Sequence, residues 1–167
     1  NENGDNIHVG GSTAGLVNCL VANSGAARNS YNSGYYQSSG FSRLENCTLA
    51  SNGDYGIVCA GGSMAVTNSI LWGNGDDVYE AAPGMVQLAY SIIEDGDSRD
   101  VNGCIADDPL FTDSVHFHEE SPHGQYGGGY FAGGGWSAGT AVSPAIDSGA
   151  PGAAFAREPD PNGARVN

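Results

Sequence analysis

The sequence predicts an all-β fold, a parallel β-helix solenoid of about four rungs of ~22 residues that ends in an irregular C-terminal cap. Three observations predict it: a short phrase that occurs four times, a spacing in the low twenties between its copies, and Gly, Asn and Ser residues that interrupt every apolar run. Helical hairpins, the alternative for such a repeat, are disfavoured because no apolar pattern with a period of about 3.6 residues lasts two full turns.

The repeated phrase reads NCLVAN, NCTLASN, NSILWGN and YSIIEDG, and its copies begin at Asn18, Asn46, Asn68 and Tyr90. These starts are 28, 22 and 22 residues apart. A second apolar run precedes each copy by eleven residues, or by twelve in the fourth unit, at residues 7–9, 35–36, 57–59 and 78–79. Each unit therefore predicts short strands separated by tight turns, and each strand is expected to pair with its counterpart one unit later.

Side chains alternate between the two faces of a strand, so the repeat also predicts which residues share a face. One buried ladder is expected from Leu16, Leu44, Val66 and Leu88, and a second from Cys19, Cys47, Ser69 and Ser91. The opposite face is expected to carry Leu20, Thr48, Ile70 and Ile92, of which the two Ile side chains require a cover. The Asn that begins each phrase is expected to adopt a left-handed conformation and to hydrogen-bond the next Asn along the axis.

The phrase Leu-x-Asn-Cys-x-Leu/Ile followed by Asn resembles the bacterial right-handed parallel β-helix repeat proteins with a pectin-lyase-like fold. The C-terminal third is similar to the ends of many such proteins in four successive phrases: residues 106–111 (ADDPLF), 117–120 (FHEE), 143–149 (SPAIDSG) and 158–167 (EPDPNGARVN). The resemblance identifies the chain as the C-terminal part of such a protein. It implies a secreted or surface β-helix, and it implies no particular activity.

The domain organisation expected from these patterns is a single domain, with the rungs in residues 1–102 and the capping region in residues 103–167. The first rung begins almost at once, and an uncovered rung exposes unpaired backbone groups. The chain is therefore expected to be a piece of a longer one with further rungs upstream. The alternative is that copies of the chain stack along the axis into a filament.

The composition is strongly acidic, with 19 Asp and Glu against five Arg and no Lys, for a formal net charge of −14. Binding to nucleic acid or to an anionic membrane requires a positive surface, so the charge argues against both partners. No apolar stretch reaches the length of a membrane-spanning segment. For Cys19 and Cys47, stacked in register, buried free thiols are favoured, and a disulfide between them stays open.

The candidate metal ligands lie after the fourth copy of the phrase. Asp95, Asp97, Asp100 and Asn102 offer oxygen atoms at closely spaced positions near Gly103, as a hard cation such as calcium prefers. The pattern lacks the Glu that completes an EF-hand loop. A solvated acidic loop is the alternative, and calcium is the cofactor that these residues suggest.

Three other features have both a chemical and a structural interpretation. The adjacent pair Asp76 and Asp77 is the arrangement that pectinase-type hydrolases use, but it also suits an ordinary turn. Three His residues in 116–123 could gather around a metal ion, or they could belong to the cap. The Gly- and aromatic-rich residues 124–136 are expected to form a flexible loop that is not a packed element by itself. Its rings either stack on sugars or fold over the open end of the solenoid.

The function expected from the sequence is that of an extracellular or bacterial cell-surface module, structural or adhesin-like, within a longer chain or assembly. Its expected partners are a polysaccharide or neighbouring copies of itself. The alternative is a polysaccharide lyase or glycoside hydrolase whose active site lies in rungs upstream of this fragment. No catalytic or cofactor-binding residue is assigned within the chain, and a non-enzymatic role is favoured.

Overall fold

The computed structural model describes residues 4–25, 31–129 and 133–154. Within them the first four rungs contain three strands each. In chain order these strands are β1 (Ile7–Val9), β2 (Ser12–Val17), β3 (Leu20–Ala22), β4 (Ser33–Gln37), β5 (Gly40–Glu45), β6 (Thr48–Ala50), β7 (Tyr55–Cys59), β8 (Ser63–Thr67), β9 (Ile70–Trp72), β10 (Val78–Glu80), β11 (Met85–Ala89) and β12 (Ile92–Ile93).

The twelve strands form three parallel sheets of four strands each, in the orders β1-β4-β7-β10, β2-β5-β8-β11 and β3-β6-β9-β12. Every strand pairs with its counterpart in the next rung. The register joins Leu16 to Leu44, Leu44 to Val66 and Val66 to Leu88, which is the ladder that the repeat predicts. The chain is therefore a parallel β-helix of about four rungs, as the period indicated.

The core lies between the three sheets, where Leu44, Leu49, Ile57, Val66 and Leu71 are fully buried. In the Cys and Ser ladder, the backbone N–H of Cys47 donates to Ser69 Oγ and that of Ser69 donates to Ser91 Oγ, both at 3.1 Å. All four cysteines are free thiols.

The Asn residues at the turns between the second and third sheets form a ladder that is exposed at Asn18 and buried at Asn68. Asn18, Asn46 and Asn68 have φ values of 55°, 53° and 51°, in the left-handed region that Asn tolerates best after Gly. Asn46 Nδ2 donates to Asn18 Oδ1 at 3.1 Å, and Asn68 Nδ2 donates to Asn46 Oδ1 at 3.2 Å. Tyr90 takes the equivalent place in the fourth rung with a φ of 49° and ends the ladder.

Two substitutions at Asn46 separate the contributions of conformation and hydrogen bonding. Asn46→Gly keeps the left-handed conformation but loses both amide hydrogen bonds, so we expect it to lower the free energy of unfolding by about 1 kcal/mol. Asn46→Ala also strains the backbone and is expected to cost about 2 kcal/mol. Urea denaturation of the two variants beside the wild type measures both values. If the Ala variant were as stable as the Gly variant, the left-handed conformation at position 46 would contribute nothing to the difference in free energy of unfolding.

The chain divides into two compact units, residues 1–106 and 107–167. The first unit extends past the predicted limit at residue 102, since Ile105 makes a parallel bridge with Ile92 and Cys104 is buried in the core. In the second unit the rings of Phe111 and Phe117 meet edge to face at 5.2 Å. The assignment of both units to one folding domain stays a prediction.

The Gly-rich residues 124–136 contain an antiparallel pair, which corrects the prediction of a loop with no packed element. Strands β13 (Gln125–Gly127) and β14 (Gly135–Ser137) place Tyr126 opposite Trp136. Their rings meet edge to face at 5.6 Å, a contact that stabilises a cross-strand pair despite the neighbouring glycines. Trp136 is 70% exposed, so this ring is available to solvent. Tyr130 and Phe131 lie outside the described residues.

Candidate functional site

A second ladder of amide side chains runs inside the solenoid, near the start of the first sheet. Asn52 Nδ2 donates to Asn74 Oδ1 at 3.0 Å, and Asn74 Nδ2 donates to Asp77 Oδ1 at 2.8 Å. Gly34 and Gly56 leave the space for these amides, because an added Cβ would lie 2.6 Å from Asn52 Nδ2 or 2.9 Å from Asn74 Nδ2. In the fourth rung Asp77 follows in place of a third glycine, and its carboxylate ends the ladder.

The Asp77 carboxylate is 2% exposed, and both of its oxygens accept hydrogen bonds. Oδ1 accepts from Asn74, and Oδ2 accepts from the backbone N–H groups of Glu94, at 2.6 Å, and Asp95, at 3.4 Å. Burial, helped by the nearby Asp95 charge, raises the pKa of Asp77 to about 7, although the hydrogen bonds to its carboxylate act in the opposite direction. Asp77 is thus a structural carboxylate that closes the end of a polar ladder.

Asp76 lies with Asp77 in the bend that precedes β10, but it is half-buried whereas Asp77 is buried, so the two carboxylates have different environments. Ligand oxygens of Asp76, Asp95 and Asp97 all lie within 4.8 Å of one another, and we call these three residues the acidic cluster. Partial burial, together with Asp95, raises the pKa of Asp76. Partial burial and the charges of Asp95, Asp76 and Glu80 raise that of Asp97. The cluster is therefore a place where like charges repel one another.

The structure brings together two of the four predicted calcium ligands, Asp95 and Asp97, and adds Asp76 to them. The other two make local contacts elsewhere. The backbone N–H of Asp100 donates to the Cys104 carbonyl at 2.9 Å, and Asn102 Nδ2 donates to the Leu88 carbonyl at 3.4 Å. Calcium binding at these residues stays a prediction.

A thermal unfolding series tests the calcium prediction. We expect millimolar calcium chloride to raise the Tm of the wild type, since a ligand that binds only the folded state stabilises it. Asp95→Asn should abolish the increase, whereas Asp108→Asn, at an exposed carboxylate outside the cluster, should preserve it. An equal increase in both variants would contradict binding at the acidic cluster.

An aromatic ladder lies on the outer face of the first sheet and runs along the solenoid axis. We use this name for His8, Tyr36, Tyr31, Tyr79 and Tyr55. The ring centroids of His8 and Tyr36 are 4.7 Å apart, and those of Tyr36 and Tyr31 are 5.6 Å apart. The Tyr31 ring lies 5.5 Å from Tyr79, and the Tyr79 ring lies 4.9 Å from Tyr55. These are the separations at which aromatic rings attract one another.

The register explains why the rings follow one another. His8 pairs with Tyr36, Tyr36 with Val58, and Val58 with Tyr79. Val58 is fully buried although its neighbours Ile57 and Cys59 face the core. The Tyr31 ring lies at similar distances from Tyr36 and Tyr79, which places it over Val58 and fills the rung that lacks an aromatic residue.

The carboxylates of two rungs border one end of the aromatic ladder. The backbone N–H of Gly56, next to Tyr55, donates to the Asp76 carbonyl at 2.8 Å. Partial burial, Tyr79, Asp76 and Asp54 all raise the pKa of the Tyr55 hydroxyl. Tyr79 likewise raises the pKa of Tyr31. Asp76 therefore belongs to the acidic cluster and also borders the rings. This arrangement can present flat apolar rings, phenolic hydroxyls and negative charge to one ligand.

Sequence reasoning did not identify the aromatic ladder, although part of its signal is periodic. His8, Tyr36, Val58 and Tyr79 occupy equivalent outward positions, each directly after a core residue of the first strand in its unit. Tyr31 also contributes a ring to the aromatic ladder, but its position does not recur in the other units. It follows the additional residues that make the first unit 28 residues long, so only the folded chain shows where its ring lies.

The three His residues proposed for a metal site do not form a metal-binding group within the described part of the chain. The rings of His116 and His118 lie 6.3 Å apart, and His116 Nδ1 lies 3.4 Å from the Asp113 carboxylate. His123 is exposed.

Comparison of the chain with protein-family models, with curated proteins and with solved structures found no match. Among the described residues no helix has the length and apolarity needed to cross a membrane.

Proposed function

We propose that this chain is part of an extracellular or cell-surface β-helix protein, structural and adhesin-like, that binds a polysaccharide through its aromatic ladder. The observation that carries the proposal is the aromatic ladder itself, five rings that follow the axis on the outer face of the first sheet. We further propose that it is the C-terminal part of a bacterial right-handed β-helix of the pectin-lyase-like kind, on the strength of the repeated phrase and the C-terminal phrases.

The position of the rings supports a role in binding. The core is already filled by aliphatic side chains and Tyr35, so the ladder is not needed to close it. Rings fixed on paired strands lose little freedom when a ligand binds, which favours affinity. Sugar rings carry apolar C–H faces beside their hydroxyls, and exposed Tyr offers an apolar surface with a hydroxyl at its end. A solenoid repeats these groups along one line, as an extended polysaccharide does.

The alternative, a lyase or hydrolase, has no comparable support in these residues. The adjacent pair Asp76 and Asp77 does not form an open catalytic dyad, since Asp77 is buried and both of its oxygens accept hydrogen bonds. A general acid must reach the leaving oxygen of its substrate. Catalysis by this protein would therefore depend on residues outside the acidic pair.

Binding to immobilised polysaccharides tests the proposal. We expect Tyr36→Ala and Tyr79→Ala each to weaken binding by about tenfold, the loss typical of one aromatic anchor. Phe41→Ala, which removes an exposed ring of β5 outside the aromatic ladder, is the matched control and should bind like the wild type. Folding of each variant is checked by its urea transition. Retention of binding in both Tyr variants would reject the aromatic ladder as the binding surface.

A further inference from the structure

We propose that the polysaccharide of the aromatic ladder is a cationic amino-sugar polymer, whose sugar rings lie along the Tyr side chains and whose ammonium groups meet the acidic cluster. The inference rests on the proposed function and deepens it, since it names the class of ligand that the same surface takes. It follows from the juxtaposition of the rings and the carboxylates at the fourth rung.

The aromatic ladder and the acidic cluster adjoin at the fourth rung. Tyr79 and Tyr55 form the end of the aromatic ladder, with centroids 4.9 Å apart. Asp76 lies at this end, since the backbone N–H of Gly56, next to Tyr55, donates to its carbonyl at 2.8 Å. One carboxylate oxygen of Asp76 lies within 4.8 Å of those of Asp95 and Asp97. Aromatic faces and carboxylates together attract ammonium cations, the first through the negative face of the ring and the second through charge. A ligand that extends beyond the last ring therefore meets three carboxylates.

The acidic cluster carries a concentrated negative charge. Asp95 and Asp97 are exposed, and Glu80 adds a further negative charge to the field at Asp97. Carboxylates that repel one another are stabilised by a cation placed among them. An anionic polymer such as a uronan would instead add to the repulsion, in a chain whose net charge is already −14. The electrostatics thus favour a cationic ligand and oppose an anionic one.

The row of aromatic rings favours an amino-sugar polymer over a basic peptide. The aromatic ladder spans four rungs, which repeat at roughly 4.8 Å along the axis. Its rings occur at separations of 4.7 to 5.6 Å. A row of aromatic groups at this spacing suits a polymer of sugar rings, because each ring can lay a C–H face on the row. A basic peptide can bring its ammonium groups to the last rings and the carboxylates, but it carries no ring to cover the rest of the row.

The experiment measures the affinity of the folded chain for four soluble oligomers by calorimetry. They are a glucosamine oligomer, its N-acetylated counterpart, a galacturonate oligomer and an oligolysine of similar length. The pH is one at which the amines are protonated. We expect the glucosamine oligomer to bind at least tenfold more tightly than the other three, and to weaken as salt is added.

Three variants assign the effect to the surface. Asp97→Asn and Tyr79→Ala should each weaken glucosamine binding about tenfold, while Asp108→Asn, at an exposed carboxylate of the second unit, should have no effect. Asp97→Asn conserves volume and lies at an exposed position, so its fold is expected to survive.

The outcomes separate the two proposals. Equal binding of the N-acetylated oligomer, lost in Tyr79→Ala, would overturn the cationic ligand and leave the polysaccharide-binding function standing. Oligolysine binding as tight as glucosamine binding would overturn it in favour of a basic peptide, and preference for galacturonate would overturn it outright. Binding of no sugar oligomer by the folded chain would overturn both proposals.

Discussion

Asp77→Ala is expected to lower the free energy of unfolding by about 3 kcal/mol, because it removes a buried carboxylate that accepts two short hydrogen bonds. Asn74 Nδ2 and the backbone N–H of Glu94 lie 2.8 Å and 2.6 Å from the carboxylate oxygens. Each of these nitrogens keeps one other acceptor, the Leu49 carbonyl for Asn74 and the Leu71 carbonyl for Glu94. The loss should appear as a lower urea midpoint with an unchanged slope. Asp76→Asn is the matched control at the neighbouring position. It keeps an oxygen for the Val78 N–H and relieves repulsion in the acidic cluster, so its stability should equal or exceed that of the wild type.

The same carboxylate should make stability depend on pH. Burial raises the pKa of Asp77 in the folded chain to about 7, above its ordinary value of 3.8. Between these two values the folded state binds more protons than the unfolded state, so its stability falls as the pH rises. We therefore expect the wild type to be less stable at pH 8 than at pH 5.5, and most of this difference to disappear in Asp77→Ala. A wild type that is more stable at pH 8 would show that the hydrogen bonds to the carboxylate outweigh its burial.

Gly56→Ala is expected to have an effect of similar size through steric conflict. The new Cβ would lie 2.7 Å from the Asp77 carbonyl oxygen and 2.9 Å from Asn74 Nδ2. Neither atom can move without disturbing the pairing of two rungs or the inner amide ladder, which consists of Asn52, Asn74 and Asp77. Overpacking of this kind costs about 1–3 kcal/mol, and loss of the Asn74 hydrogen bonds adds about 1 kcal/mol. We expect the free energy of unfolding to fall by about 3 kcal/mol.

Gly15→Ala provides the comparison for Gly56→Ala. Gly15 also lies in a strand, β2, but the nearest atom to its added Cβ is the Arg43 carbonyl oxygen at 3.9 Å. Since this position has room, Ala should be neutral there or stabilise the fold by a few tenths of a kcal/mol through the unfolded state, roughly as observed for compatible sites. Equal losses at both positions would mean that the inner amide ladder plays no part in the effect at Gly56.

The repeat determined the β-helix and much of its register. Strands of a solenoid pair with the same position one unit away, so four aligned phrases are enough to identify partners such as Leu44 and Val66. The ladder of Asn18, Asn46 and Asn68 was predictable for the same reason, since turn position and side-chain chemistry both recur. The candidate metal ligands were predictable only in part. Sequence proximity gathered Asp95, Asp97, Asp100 and Asn102, whereas the fold gathers the first two with Asp76, which belongs to the preceding turn of the chain.

The tertiary structure decided what the period does not encode. Adjacent residues Asp76 and Asp77 look like a pair in the sequence, but the bend before β10 buries the second and leaves the first in the acidic cluster. Tyr31 follows the additional residues that lengthen the first unit, and its ring completes the aromatic ladder over Val58. A regular repeat determines which backbone groups pair because every unit is equivalent. Insertions and side-chain directions differ from unit to unit, so the surface that they create exists only in the folded chain.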